Sequence, residues 1–326
     1  MNASIPLKLN GPSDLIPAVP YLLGFTPERS LVVIGLKDGE LQCTFRVDLP
    51  GSIDHLDHLP SLEKQVTVND CEGVVVIGYG DAELAPACVE RAAFDLTMAG
   101  VQILDSLRVE NGRWYSLTCQ DTCCPGEGTP VPENNAITTQ LALAGAVSRP
   151  DRAAVAALVA PADEAAQRAV TKAVRQLLQD QAELSWAEQR LADLNIIDTW
   201  ASATGLPGPA DIAALGLALG DLDIRDYAMR AMHEHHGQSS TATDLWLWVA
   251  RHLDTDLAAP AFTIAGWCAY RTGDGVLALE CFDRALQAAP HYRLAQMLMS
   301  ALQGGIPPKA IPVPTIEPAR PEQTNA

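Results

Sequence analysis

Short apolar runs separated by turn residues dominate the first third of the chain. The runs with strand character are Ile5–Leu9, Ser30–Leu36, Leu41–Leu49, Gly73–Gly78, Val101–Val109 and Arg113–Leu117. Asp38-Gly39 and Asn111-Gly112 each join two of these runs, and both pairs favour the type I′ turn of a two-stranded hairpin. Gly73–Gly78 is apolar throughout, which is typical of a strand that is buried on both faces.

Helical spacing alternates with these strands. It covers Leu15–Leu23, Ser52–Gln65 and Ala82–Ala99. Helices that alternate with strands usually pack on the faces of one sheet. The pattern therefore predicts an α/β domain over residues 1–130, which we expect to be a mixed sheet with helices on both faces.

From Glu133 onward the strand pattern gives way to helical spacing. The predicted helices are Ala136–Ala146, Pro150–Leu158, Ala162–Leu194, Ile197–Thr204, Ala210–Leu219, Ile224–His235, Ala242–His252, Pro260–Thr272, Val276–Ala288 and Tyr292–Leu302. We expect an all-helical domain over residues 131–303, with Ala162–Leu194 as one long connecting helix. Six prolines follow Gly304-Gly305 and predict an extended or disordered tail over residues 304–326.

Residues 261–290 resemble a single tetratricopeptide unit. Gly266 stands where that motif has a small residue, Gly273-Asp274 matches its turn, Phe282 matches a packing position, and Pro290 matches its end. Two interpretations stay open. The segment is either one hairpin of this shape in a plain helical domain, or part of a groove that binds a protein or peptide partner.

The charge of the chain narrows the classes of partner. It carries 40 acidic and 22 basic residues, a formal net charge of −18, so nucleic acid and anionic membranes are not expected partners. The first residues lack the features of a secretory signal, which favours a cytoplasmic location. In that compartment most of the eight cysteines would be reduced.

Several segments together resemble the domain-of-unknown-function family DUF4192, which is found mainly in actinobacteria. They are Val19–Pro27, Ser30–Gly35, Arg46 with Asp48-Leu49-Pro50, Arg113–Cys119, Cys123-Cys124-Pro125 with Gly128, Arg225-Asp226 and Gly273-Asp274. The resemblance extends over nearly the whole chain to about Pro307. It implies a fold shared with that family and assigns no activity, cofactor or partner.

Three thiols within six residues form the strongest local chemical feature. Cys119, Cys123 and Cys124 follow the second predicted hairpin, and thiolates at such spacing can coordinate zinc. A structural zinc site usually has four ligands, and no second cysteine pair follows. A redox or nucleophilic thiol and a compact loop without a ligand remain as alternatives.

A second candidate site lies at the end of the most apolar strand. Gly78, Tyr79, Gly80 and Asp81 follow that strand and precede a helix, which is where open α/β sheets usually bind ligands. The same region is expected to include three further side chains, those of Tyr21, Arg46 and Asp48. The alternative is that these residues pack the helix on the sheet.

No residue pattern identifies a reaction, so no catalytic residue is assigned. The interpretation that fits the sequence best is a non-enzymatic cytoplasmic protein with a regulatory or protein-interaction role, in which the helical domain would contact a protein or peptide. The first alternative is an enzyme with a pocket near Gly78–Asp81 and Cys119–Gly128. The second is a structural metal-binding domain, for which zinc is the expected ion.

Overall fold

The fold is described by a computed structural model over residues 11–119, 121–237 and 239–319. The chain forms two compact units. The sheet unit extends to Val155 and includes Gln303–Pro307, whereas the helical unit comprises Ala156–Leu302 and continues from Pro308. The strand expected at Ile5–Leu9 and the tail beyond Ala319 lie outside the described residues.

The sheet unit is built on six strands in the order β2-β1-β3-β4-β5-β6. They are β1 Ser30–Lys37, β2 Glu40–Asp48, β3 Gly73–Tyr79, β4 Gln102–Glu110, β5 Arg113–Ser116 and β6 Thr129–Pro130. β3 and β4 are parallel, and every other neighbouring pair is antiparallel, so the expected mixed sheet is confirmed. Asp38 and Asn111 have positive φ angles, as both predicted hairpin turns require.

The helices of this unit are α1 Pro12–Leu23, α2 Glu63–Val68, α3 Leu84–Met98, α4 Ala136–Leu143 and α5 Arg152–Ala156. α3 packs on one face of the sheet, where Leu31 and Val76 share a buried core with Cys88 and Val89. β3 is buried along its whole length, which explains why its sequence is apolar.

The single helix expected over Ser52–Gln65 is wrong. The structure has a short 3₁₀ helix at Ile53–His58 and then α2. Pro60 separates them, and Leu59 before it is extended, with φ −66° and ψ 122°. A proline disfavours helical backbone in the preceding residue and supplies no N–H of its own, so one continuous helix cannot form here.

The helical unit contains α6 Glu164–Gln181, α7 Trp186–Ser202, α8 Pro209–Ala218, α9 Leu222–His236, α10 Thr241–His252, α11 Thr255–Thr272, α12 Gly275–Ala288 and α13 Arg293–Gln303. Two short 3₁₀ turns, Ala157–Val159 and Pro308–Ala310, complete it. No strand occurs in the described part of this unit, so the expected all-α second half is confirmed. Among the helices that the structure describes, none is long and apolar enough to cross a membrane.

The long connecting helix expected over Ala162–Leu194 is wrong. The chain breaks between α6 and α7, both of which belong to the helical unit. Ser185 caps α7 by accepting from the Glu188 N–H, and the Glu188 carboxylate accepts from the Ser185 N–H at 2.8 Å. This reciprocal pair satisfies N–H groups that a helix start leaves free, and it fixes a new start at Trp186.

The pair α11 and α12 forms the hairpin that resembles a tetratricopeptide unit. Gly273 has the left-handed φ of 89°, and the Asp274 carboxylate caps α12 by accepting from the Leu277 N–H at 3.0 Å. A Cβ on Gly266 would lie 2.5 Å from the Phe282 ring, so the glycine allows the two helices to approach. The resemblance to a tetratricopeptide unit stays a prediction.

Candidate functional site

The loop that follows β5 holds its cysteines through short-range hydrogen bonds. The Ser116 hydroxyl accepts from the Cys119 N–H at 3.0 Å. The Asp121 carbonyl accepts from the Cys124 N–H at 2.9 Å, which closes a turn around Cys123. Each of these bonds joins residues only three positions apart. Contacts between neighbouring residues therefore help to bring the three cysteines together.

The far end of this loop is tied back to the sheet. The Arg113 guanidinium donates to the Glu127 carbonyl at 2.8 Å and to the Gly128 carbonyl at 2.7 Å. Gly128 has a positive φ of 76°, and a Cβ there would lie 2.6 Å from the Tyr115 ring, so a glycine is required. β5 and β6 thus hold both ends of the cysteine loop, residues 116–128.

The three thiols predicted as metal ligands lie together. The Sγ atoms of Cys119, Cys123 and Cys124 all lie within 4.8 Å of one another, and Cys119 and Cys123 are 3.7 Å apart. An Asp121 carboxylate oxygen lies 4.0 Å from the Cys119 sulfur. Tetrahedral coordination with metal–sulfur bonds of about 2.3 Å places sulfurs about 3.8 Å apart. This cluster therefore could bind a metal ion.

The thiols of this loop differ in acidity. The Asp121 backbone N–H, followed by the neighbouring thiols, lowers the pKa of Cys119 below its ordinary value. Desolvation and hydrogen bonding to Cys119 and Cys123 raise the pKa of Cys124 to about 12. Cys119 is consequently deprotonated more readily than Cys124, which is the behaviour of one thiolate stabilised by its neighbours.

Three of the residues proposed for a pocket after β3, Arg46, Asp48 and Tyr79, lie at one end of the sheet. Asp48 and Tyr79 are both paired with Ser30 across neighbouring strands. Arg46 donates to the Ser30 hydroxyl at 2.8 Å and to the Asp48 carboxylate at 2.5 Å, and it lies over the Phe25 ring. The side chains of Arg46 and Asp48 are therefore already engaged with each other and with Ser30.

The end of β3 and the residues that follow it have a packing and capping role. A Cβ on Gly78 would lie 2.9 Å from both the Ala85 carbonyl and a Val89 methyl, so Gly78 lets α3 approach the sheet. The Asp81 carboxylate accepts from the Glu83 and Leu84 N–H groups at 3.0 and 2.8 Å. These hydrogen bonds lower the pKa of Asp81 and stabilise the start of α3.

The other three candidates, Tyr79, Gly80 and Tyr21, also have packing roles. Tyr79 is 7% exposed, its hydroxyl has no hydrogen-bond partner among the described residues, and burial raises its pKa. A Cβ on Gly80 would meet Leu49 at 3.2 Å. Tyr21 is half-buried against the small cluster of α1 and α4 that includes Ile137. The ligand pocket expected here stays a prediction, whereas two described cavities lie in the helical unit.

Replacing Gly78 with alanine tests this packing role. The new Cβ would meet backbone, which cannot move aside as a flexible side chain can, so we expect a loss of about 1–3 kcal/mol in the free energy of unfolding. Gly51→Ala is the matched control, since nothing lies within 4 Å of its Cβ position. Urea denaturation of both variants provides the comparison, and equal midpoints would contradict the packing role.

One thiol pair was missed by the sequence analysis. Cys43 on β2 and Cys71 before β3 have their sulfurs 3.3 Å apart, and burial raises the pKa of both. A Cβ on Gly35, on the strand between them, would overlap both sulfurs. A glycine inside an apolar strand often marks such a close approach, and this was the available signal.

Comparisons with known proteins agree with the resemblance seen in the sequence. No curated protein matches the chain, and no solved structure matches it. The family described as Domain of unknown function (DUF4192) matches residues 12–309, which include every strand that the structure describes and the cysteine loop. The chain therefore belongs to the DUF4192 family.

Proposed function

We propose that the chain is a zinc-binding protein and that the cysteine loop holds the ion. The observation that carries the proposal is the distance of 3.7 Å between the Cys119 and Cys123 sulfurs, with the Cys124 sulfur within 4.8 Å of both. That spacing fits three corners of a tetrahedron around zinc. Soft thiolate ligands favour zinc over magnesium or calcium, which bind oxygen.

Asp121 is our candidate for the fourth ligand. Its carboxylate oxygen is 4.0 Å from the Cys119 sulfur, and a zinc site with sulfur and oxygen ligands needs about 3.5 Å. Asp121 is exposed, so its side chain can rotate over that difference without disturbing a packed core. A closed set of three thiolates and one carboxylate would be a structural site that stiffens the loop between β5 and β6.

Metal content tests the proposal directly. The full chain is stripped with a chelator, re-equilibrated with zinc, desalted and analysed for metal by mass spectrometry. We expect one zinc ion per chain, and we expect Cys119→Ser, Cys123→Ser and Cys124→Ser each to lower the affinity at least about tenfold. Cys43→Ser is the control, because it removes a thiol of the same protein outside the loop.

The same measurement separates the alternatives. A chain that retains no zinc after desalting would overturn the proposal, as would a Cys43→Ser variant that loses zinc equally. Asp121→Asn should weaken binding by less than the cysteine variants if a water replaces the carboxylate. The expected regulatory or protein-interaction role and the cytoplasmic location are not needed for zinc binding, and both stay predictions.

A further inference from the structure

The C-terminal segment Ile311–Ala319, here called the tail segment, contacts the helical unit without forming a helix or strand. Three arginines on three different helices bind it. Arg271 on α11 donates to the Ile311 carbonyl at 3.1 Å, and Arg190 on α7 donates to the Ala319 carbonyl at 3.2 Å. Between them, Arg230 on α9 contacts the Glu317 carboxylate at 3.4 Å.

The three arginines, here called the arginine groove, are held in place by other contacts. Arg190 is 6% exposed and forms ion pairs with Asp221 at 2.5 Å and Asp223 at 3.2 Å. The guanidinium groups of Arg230 and Arg271 lie over aromatic rings, at 5.3 and 5.2 Å from the ring centroids. Donors fixed in this way lose little side-chain entropy when a peptide binds.

The chemistry of the tail segment matches that of the groove. Pro312, Pro314 and Pro318 have no backbone N–H, so the segment offers mainly carbonyl acceptors. Arginine side chains are donors only. Proline also keeps a peptide extended before it binds, which lowers the entropic cost of ordering it. The Glu317 carboxylate adds an ion pair with Arg230, which also pairs with Glu234.

The tail segment fills its site incompletely. A cavity of about 480 Å³ remains beside it, lined by Tyr227, Arg230, Glu317, Pro318 and Ala319. The Arg271 Nε and the neighbouring Trp267 indole N–H have no hydrogen-bond partner among the described residues. Ile316 is 42% exposed. The space beside Arg230 and Glu317 indicates that this part of the site can accept a different occupant.

We propose that the arginine groove binds an extended, proline-containing, acidic segment of another protein, and that the tail segment occupies the groove until such a partner replaces it. This inference is independent of zinc binding. Because the tail segment is tethered, it competes with an effective concentration of the order of millimolar. A free peptide should therefore bind weakly to the unmodified chain and more tightly when the tail segment is weakened.

The test uses the full chain and a fluorescent nonapeptide with the sequence of residues 311–319. Its binding is measured by anisotropy to the unmodified chain and to a chain with Glu317→Lys and Pro318→Asp in its own tail. We expect the tail-weakened chain to bind the peptide about tenfold or more tightly. Adding Arg230→Gln to that chain should abolish the gain, whereas Arg168→Gln, which changes a surface arginine of α6, should preserve it.

A second peptide tests the class of partner. It keeps the three prolines and the glutamate of the first peptide and has alanine at every other position. Binding within about tenfold of the first peptide supports recognition of an extended proline-containing acidic segment. Equal binding of the first peptide to the tail-weakened and unmodified chains overturns the proposal, and so does binding that survives Arg230→Gln. Binding of the native sequence alone also overturns it, because the tail segment would then be a dedicated part of the fold.

Discussion

Replacing Phe282 with alanine is expected to destabilise the helical unit by about 3–5 kcal/mol. The Phe282 side chain is fully buried and packs over Gly266 at the contact between α11 and α12. Removing the ring leaves a cavity at a contact where both helices are already fixed by neighbouring packing. Urea denaturation followed by tryptophan fluorescence measures the loss, since five of the six tryptophans belong to the helical unit.

Gly266 supplies the control for this prediction. Gly266→Ala alone should also destabilise, because its Cβ would lie 2.5 Å from the ring. In a chain that carries both Gly266→Ala and Phe282→Leu, part of that clash is removed. The double variant should therefore lose less free energy of unfolding than the two single variants lose in sum. Gly275→Ala meets only Leu302, at 3.4 Å, and should have little effect. A loss below about 1 kcal/mol for Phe282→Ala would show that this contact is not central to the unit.

Saturating zinc is expected to stabilise the sheet unit by about 2.7 kcal/mol when free zinc is 100 times its dissociation constant. A ligand that binds only the folded loop shifts the folding equilibrium toward the folded state by mass action. The cysteine loop is joined to β5 and β6 at its two ends. The added stability should therefore also slow amide hydrogen exchange in these strands. Hydrogen exchange of residues 113–130, with and without zinc, measures it.

The Cys123→Ser variant is the control for this stabilisation. It removes one ligand and leaves the backbone hydrogen bonds of the loop in place. Because the affinity falls at least tenfold, the same zinc concentration should then stabilise the sheet unit by about 1.4 kcal/mol or less. Protection that is equal in this variant, or that appears only in the helical unit, would contradict binding at the cysteine loop.

The sequence predicted the sheet well wherever the signal was local. Asp38-Gly39 and Asn111-Gly112 fixed two hairpins, because few residue pairs adopt two successive positive φ angles. Local signals that were overlooked explain the errors. Pro60 ends one helical stretch, and Ser185 with Glu188 begins a new helix inside another. Both features were visible in the sequence.

Features that depend on distant residues were beyond sequence reasoning. α4 belongs to the sheet unit because Ile137 and Leu141 pack with Ala18 of α1, whereas the boundary expected from the change in periodicity was residue 130. Cys43 and Cys71 meet only because β1 lies between β2 and β3.

The candidate sites also differ in whether neighbouring or distant residues form them. The three cysteines lie within six residues, so their spacing alone was enough to predict that the thiols lie together. The contact between the arginine groove and the tail segment joins residues more than 100 positions apart, as the bond from Arg190 to Ala319 shows, and no local pattern predicts it. The proline content predicted an extended or disordered tail over residues 304–326, and it gave no information about the arginines that bind the tail segment.

The most direct test of zinc binding is X-ray absorption at the zinc edge of the zinc-loaded full chain, which measures the identity and distance of the ligand atoms. The three-thiolate site predicts three sulfur atoms at about 2.3 Å and one oxygen at about 2.0 Å from the ion. Cys123→Ser should lower the sulfur count by one. A shell made only of nitrogen and oxygen atoms would contradict the account, because it would place the zinc away from Cys119, Cys123 and Cys124.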